Sequence, residues 1–379
     1  MIFVKAFPGQ QADLYEHLKL MFIKNNALKL SAFLFILFPL FLSGCGSFVK
    51  TKDKRAVLLK TENAAQADLI GEINRFARVN SMRAKMDLKI EDNSYADIGI
   101  AEKYRTAPGE IVVQRPANIF LKVQIPVINS DIVQMTSDGE KFRVAILQDN
   151  SGGKYKKFVL GTNNADYSAL QEQVQNMNLD GGGKELQQNV SAFSNLRPQH
   201  FTDAMLMRPV DAANNIYVQS TILQEEVNTD VAKKSPLQRV LRGYYLLDEI
   251  HKNDDGSSSI LRRFWFDRVG TVRLARQQIF DSRGEIESDI VYGSAGNLSD
   301  SGEYNNLPLQ IEVTRPKEKY KMRLTYQSPE TVTIGRTFPV DAFVLKNTWN
   351  LQEVDLDKKL LEAGNQKIVN TNQNAATKK

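Results

Sequence analysis

The sequence predicts an α+β fold that is mainly antiparallel β, and three observations carry that expectation. Apolar and polar residues alternate with a period of two in segment after segment between Met82 and Tyr326, as in strands with one dry and one wet face. Short, turn-rich spacings separate these segments, which favours antiparallel neighbours over helix-linked parallel ones. Helical periodicity is confined to one stretch ahead of the strands and to an interruption in the middle.

The first element is a helix from about Glu62 to Asn80, where Leu69, Ile70, Ile73, Phe76 and Ala77 form one apolar stripe at helical spacing. The period then changes. In "MRAKMDLKIE", Met82, Ala84, Met86, Leu88 and Ile90 alternate with Arg83, Lys85, Asp87, Lys89 and Glu91. The same alternation places Ile119, Leu121, Val123 and Ile125 on one face of a later strand, and Tyr320, Met322, Leu324 and Tyr326 on one face of another. Further strands are expected at 110–114, 132–136, 142–148, 155–160, 215–224, 240–249, 260–267, 271–281, 286–292 and 309–314. Ser137-Asp138-Gly139 and Ser282-Arg283-Gly284 read as turns between them. Ala165–Leu179 and Leu186–Met207 carry helical patterns joined by the link "DGGGK", so a helical insertion is expected near 161–208. The strand-rich domain spans 62–363, and the Asn-, Gln-, Thr- and Lys-rich residues 364–379 read as a disordered tail.

The N-terminal region poses a separate question, because it holds the chain's single cysteine. From Leu30 to Leu42 no residue is charged and nearly all are Leu, Phe or Ile, with Lys24 and Lys29 as a positive flank. That run is shorter than the roughly 20 residues a bilayer span needs, but it suits the core of an export signal. Leu42-Ser43-Gly44-Cys45 closes it. These four residues resemble the lipobox of bacterial lipoproteins at every position. The resemblance implies that residues 1–44 are a signal peptide, that Cys45 is the lipid attachment site, and that residues 45–61 are a lipidated tether. The stretch from Met21 to Cys45 is a complete signal by itself, so Met21 is expected as the true start, or residues 1–20 leave with the signal. Neither Gly46 nor Ser47 is the Asp that retains some lipoproteins at the inner membrane, so a periplasm-facing, lipid-anchored position at the outer membrane is expected.

Composition narrows the function classes. Without residues 1–44 the chain keeps 49 − 4 = 45 basic and 44 − 2 = 42 acidic residues, a net charge of +3. That near balance, with no clustered basic stretch, gives no reason to expect nucleic acid. Basic and aromatic residues do meet in "RRFWFD", which reads as an aromatic cross-strand cluster. Of three histidines, His17 lies in the signal, leaving His200 and His251, both expected in turns or at the surface. No metal site or cofactor is expected from so few ligands. The sequence has no G-x-S-x-G elbow, and an acylated Cys45 leaves no free thiol nucleophile. "DGGGKE" lacks the Ser or Thr and the glycine spacing of a phosphate loop. Asp254-Asp255-Gly256 lacks the downstream ligands of a calcium loop and reads as a hairpin turn. No catalytic residue is assigned, and the chain is expected not to be an enzyme.

The order of elements resembles the bacterial LolA/LolB lipoprotein-carrier superfamily. "RPANIFLKVQIP" (Arg115–Pro126), followed by "SDGEKF" (Ser137–Phe142), is similar to that superfamily's Arg-Pro strand and Ser-Asp-Gly turn. "VTIGRTFPVDAFVL" (Val332–Leu345) and "VDL" (Val354–Leu356) are similar to its closing strands, though "KNTWN" stands where the family often has Pro-Gly. The chain is longer than a typical carrier, so 161–208 and 225–258 are expected to be partly insertions. The resemblance implies an open half-barrel around an apolar cavity, with helices as a lid. Met82, Met86, Leu121, Val123, Met322 and Leu324 are then the cavity-lining candidates, unless they are ordinary core beneath a helix. The expected partners are the membrane, through Cys45, and an acyl chain or lipoprotein cargo. The alternative is a scaffolding lipoprotein whose half-barrel is filled by its own side chains and which docks a protein partner.

Overall fold

The computed structural model describes residues 55–92, 102–103, 106–125, 130–148, 156–165, 167, 198–229 and 231–362. The chain divides into two compact units, Met1–Arg55 and Ala56–Lys379, and the second carries every element below. Cys45 and the lipobox residues Leu42, Ser43 and Gly44 lie outside the described residues. So do the "DGGGK" link, most of the expected 161–208 insertion and the tail at 364–379.

Strand β1 (Val57–Leu58) runs parallel to Val240–Leu241, whereas the N-terminal meander contains β2 (Ser81–Asp92), β3 (Glu102–Lys103), β4 (Ala107–Gln114), β5 (Asn118–Gln124), β6 (Asp131–Asp138), β7 (Lys141–Ile146) and β8 (Phe158–Thr162). The C-terminal meander contains β9 (Asn215–Val227), β10 (Arg239–Lys252), β11 (Ser258–Asp267), β12 (Arg273–Phe280), β13 (Ile286–Leu298), β14 (Tyr304–Arg315) and β15 (Tyr320–Tyr326). Two short strands follow, β16 (Thr333–Ile334) and β17 (Glu353–Asp355). Helix α1 (Gln66–Ala77) precedes β2, and α2 (Pro198–Met205) precedes β9.

Pairing joins the two meanders into one mostly antiparallel sheet. Its order is β9–β10–β11–β12–β13–β14–β15–β2–β4–β5–β6–β7–β8–β17. The joint is β15 against β2, with Met322 opposite Ile90 and Leu324 opposite Leu88. Among the described residues β9 and β17 are not paired with each other, so the sheet is not closed. The 225–258 segment, expected to be partly an insertion, contains all of β10, which bonds along nearly its whole length to β9.

Local sequence explains most boundaries. Helix α1 is shorter than the expected Glu62–Asn80. It starts where the Asp68 carboxylate accepts from the Ala65 N–H (2.9 Å) and ends where the Arg78 and Val79 N–H groups reach Arg75 and Phe76 carbonyls. Turns carry the expected glycines, at Gly139 (φ +97°) between β6 and β7 and Gly256 (φ +83°) between β10 and β11. The expected closing strands over 332–345 are a correction. Only Thr333–Ile334 is extended and paired, because Gly335 takes φ +80° and a 3-10 turn at Val340–Phe343 follows Pro339. That segment instead lies against β4–β6, where Phe338 exchanges hydrogen bonds with Gln114 and Phe343 is buried. Among the described residues no helix is long and apolar enough to cross a membrane.

Candidate functional site

Directly opposed residues of an antiparallel pair share a face, so the register traces each face across strands. Ala84, Ile111, Leu121, Met135 and Val144 form one line from β2 to β7. Val113 stands between Met82 and Ile119, and Gly109 between Met86 and Val123. Gly109 is required there: a β-carbon would lie 2.6 Å from the Lys122 carbonyl oxygen and 2.8 Å from Leu88. Through Tyr326–Met86, Leu324–Leu88 and Met322–Ile90 this face continues onto β15. All six cavity-lining candidates therefore lie on one face, here called inner. Met86, Met322 and Leu324 are 0% exposed, Met82 and Leu121 are also buried, and Val123 is half-buried.

Helices α1 and α2 both pack on that face. Helix α1 buries Leu69, Ile73 and Phe76, each worth about 1.5–3 kcal/mol when fully removed from water. Phe76 meets the ring of Tyr292 at 5.6 Å. Helix α2 buries Phe201, Ala204 and Met205, and these residues join one continuous core with α1 and the inner face. His200 is a correction to the sequence expectation. It is 1% exposed on α2, and its Nδ1 meets the hydroxyl of Tyr320. The docking of α2 removes it from the surface. His251 sits half-exposed at the end of β10, 3.0 Å from the Asn215 amide oxygen.

Arginines fasten the helical segments to the sheet through backbone carbonyls. Arg115, in the turn after β4, donates from Nη2 to the carbonyls of Ala77 (3.1 Å) and Met207 (2.5 Å). One guanidinium thus ties the end of α1 to the chain just past α2. Burial holds its pKa below the usual arginine value. Arg75 donates to the carbonyls of Asn305 (2.6 Å) and Asn306 (3.0 Å). Arg262 donates to those of Arg208 (2.8 Å) and Pro209 (3.1 Å). Sequence reasoning noted the Arg-Pro pair but not the carbonyls it binds, which lie 38 and 92 residues away.

The C-terminal half of the inner face sets buried polar residues among apolar ones such as Leu247, Phe264, Ile290 and Val313. Tyr217, Glu249, Arg262, Ile279 and Ser288 stand opposite one another in a line from β9 to β13. Glu249 pairs with the Arg262 guanidinium and accepts from Tyr217 (2.7 Å) and Asn215 (2.8 Å). Burial raises the Glu249 pKa, but the Arg262 bond and charge outweigh it, and the net value is below the ordinary one. Burial and the bond to Glu249 push Tyr217 up to about 12. Arg315 on β14, opposite Tyr320, is buried and pairs with Glu318 (2.7 Å) and Glu287 (3.3 Å). Asp203 on α2 feels Arg208, Arg315 and Arg262, yet burial dominates and raises its pKa. On the opposite face of β11, Trp265 packs edge-on to Tyr244 at 5.7 Å with Arg276 over its ring, the aromatic cluster expected from "RRFWFD". Among the described residues no group of three His, Cys, Asp or Glu could hold a metal.

Compared with protein-family models and with curated proteins, the chain matches none. Solved structures do match. A LolA superfamily protein from Nitrosomonas europaea aligns over 74% of this chain and 99% of its own, at 11% identity and a TM-score of 0.37. A DUF1329 family protein from Desulfovibrio piger aligns over 75% and 97%, at 11% identity and a TM-score of 0.36. A domain from Vibrio parahaemolyticus, titled for outer membrane lipoprotein sorting, aligns over 73% and 94%, at 10% identity and a TM-score of 0.34.

Proposed function

We propose that the protein is a lipid-anchored component of the bacterial envelope that binds or transfers acyl chains of lipids or lipoproteins at the outer membrane, without catalysis. The observation that carries this reading is the Arg115 clamp over a methionine-bearing apolar face. Helix α1 packs over β12 and helix α2 over β4–β6 and β14, both in one core with Met82, Met86 and Met322, and one side chain holds both segments through carbonyls. Methionine adapts to irregular apolar partners, and a clamp made of two hydrogen bonds can open without breaking the sheet. The open sheet is then a half-barrel and the helices its lid. An acyl chain replacing them gains about 0.8 kcal/mol per buried methylene. The lipobox-like Leu42-Ser43-Gly44-Cys45 supplies the anchor, and Cys45→Ala is expected to yield an unprocessed or soluble protein. Full membrane partitioning and acylation of that variant would refute the anchor.

The clamp has its own test, on residues 56–379, which form a compact unit by themselves. Arg115→Leu should lower stability by about 1–3 kcal/mol while speeding uptake of a fluorescent fatty acyl probe. Slower or unchanged uptake would reject the lid. A second reading has an observation of its own: Met86, Met322 and Leu324 are fully covered by the chain itself. A scaffolding lipoprotein with a self-filled interior would have this property, and a domain that never takes up the probe would favour it.

A further inference from the structure

Four buried side-chain atoms on three neighbouring strands of the inner face have no hydrogen-bond partner: Gln277 Oε1, Ser288 Oγ, Tyr292 Oη and Arg315 Nε. Gln277, Ser288 and Arg315 are only 2%, 1% and 4% exposed. The register gathers them. Gln277 on β12 faces Ile290, which lies midway between Ser288 and Tyr292 on β13. Thr314 pairs with Asp289, which sets Arg315 beside Ser288 from β14. Buried polar atoms are ordinarily satisfied, so a local group of orphans calls for a missing partner.

The orphans define that partner's chemistry. Tyr292 and Ser288 can donate or accept, the Arg315 Nε–H donates, and the Gln277 oxygen accepts, as does the partnerless Oε2 of Glu318 beside Arg315. Both buried guanidinium groups nearby already face carboxylates, Arg262 with Glu249 and Arg315 with Glu318 and Glu287. The site therefore offers hydrogen bonds without spare positive charge, which suits an uncharged oxygen-bearing group over an anion. Beside it the face turns apolar, running through Val313–Met322–Ile90 and Ile311–Leu324–Leu88 toward Leu121. From β13 to β5 are five strand spacings, a distance of about 24 Å.

We infer that Gln277, Ser288, Tyr292 and the Arg315 Nε–H form a head-group site for an uncharged acylglycerol ester, whose acyl tail lies across the apolar half of the same face. This rests on the acyl-binding reading above and adds where the head sits and what it is. The test uses residues 56–379 and a fluorescent fatty acyl probe displaced by monopalmitoylglycerol, palmitic acid or hexadecane. The glycerol ester should displace the probe at a concentration about tenfold below that of hexadecane, as two or so added hydrogen bonds allow. Tyr292→Phe, and independently Ser288→Ala, should each cut that preference about threefold or more. Neither should lower the melting temperature, because each removes a hydroxyl that has no partner in the unliganded fold. Equal displacement by ester and hexadecane, or a preference intact in both variants, would show that the orphan atoms hold water only. Palmitic acid binding more tightly than the ester would overturn the uncharged head. A domain that binds no probe overturns both readings, whereas one that binds it without head preference overturns this inference alone.

Discussion

From β2 through β7 the inner face is carried by Met82, Met86, Ile111, Leu121, Met135 and Val144; from β9 through β14 its positions include Tyr217, Glu249, Arg262, Gln277, Ser288 and Arg315. The first half has one buried polar exception, Ser137, whose Oγ accepts from the Asn163 amide at 2.8 Å. Apolar contact is non-directional, so the N-terminal half can accept a helix, or something replacing it, in several positions at similar cost. Buried ion pairs and hydrogen bonds are directional, and one misplaced partner leaves a charge unsolvated. One surface thus divides its labour. The buried polar groups of the C-terminal half fix where the covering segments sit, as Arg262 does for Arg208 and Pro209, while apolar contacts on both halves supply non-directional attraction.

The strongest way to break this comparison is at the buried ion pair. Glu249→Gln leaves Arg262 without its counter-charge and should cost about 3–5 kcal/mol by urea denaturation. The exposed Arg239–Glu225 pair on the neighbouring β9–β10 hairpin is the control, since Glu225→Gln should cost about 0–1 kcal/mol. Similar losses from the two would remove the claim that the buried polar groups position anything. In the apolar half, Leu121→Ala should cost about 2–5 kcal/mol, toward the low end if neighbouring methionines relax into the space. A loss at the top of that range would mean a rigid wall and would weaken the adaptable surface proposed here.

The smallest effect sharpens the boundary between the halves. Burial raises the Asp203 pKa in the folded chain, so the folded state holds that proton more tightly than the unfolded state does. The stability from this group is complete below its ordinary 3.8 and is lost as pH rises through the raised value. Asp203→Asn should therefore stabilise the domain at neutral pH by on the order of 1 kcal/mol, with the gain vanishing as pH falls toward about 4. Thermal melts across that range check it. A variant less stable than the parent at neutral pH would show that the Arg208, Arg262 and Arg315 charges outweigh burial.

Much of this was legible in the sequence. The stripe Leu69–Ile73–Phe76 marked α1, and strict alternation in 82–91, 119–125 and 320–326 put all six lining candidates on a single face of their strands. Both patterns are local consequences of side-chain direction, so neighbours in sequence suffice to reveal them. Which face met which did not follow. Only the pairing of β15 with β2, across more than 200 residues, merges Met322 and Leu324 with Met86 and Leu88. The polar line stayed hidden because its alternation is blurred. Arg262 and Arg263 are adjacent, and nothing in "RRFWFD" says that the first is buried against Glu249 while the second pairs with Asp248 at the other face. Bulges opposite Trp265/Phe266 and Ile279/Phe280 then shift the period within β12 and β13, where Ala275 and Glu287 are the extra residues. His200 reads as a turn or surface residue, and Arg115 as the start of an Arg-Pro strand, until α2 docks and the carbonyls of Ala77 and Met207 arrive beside Arg115. A polar side chain's burial depends on the partner that satisfies it, and here that partner comes from a distant part of the chain, beyond the reach of any local period.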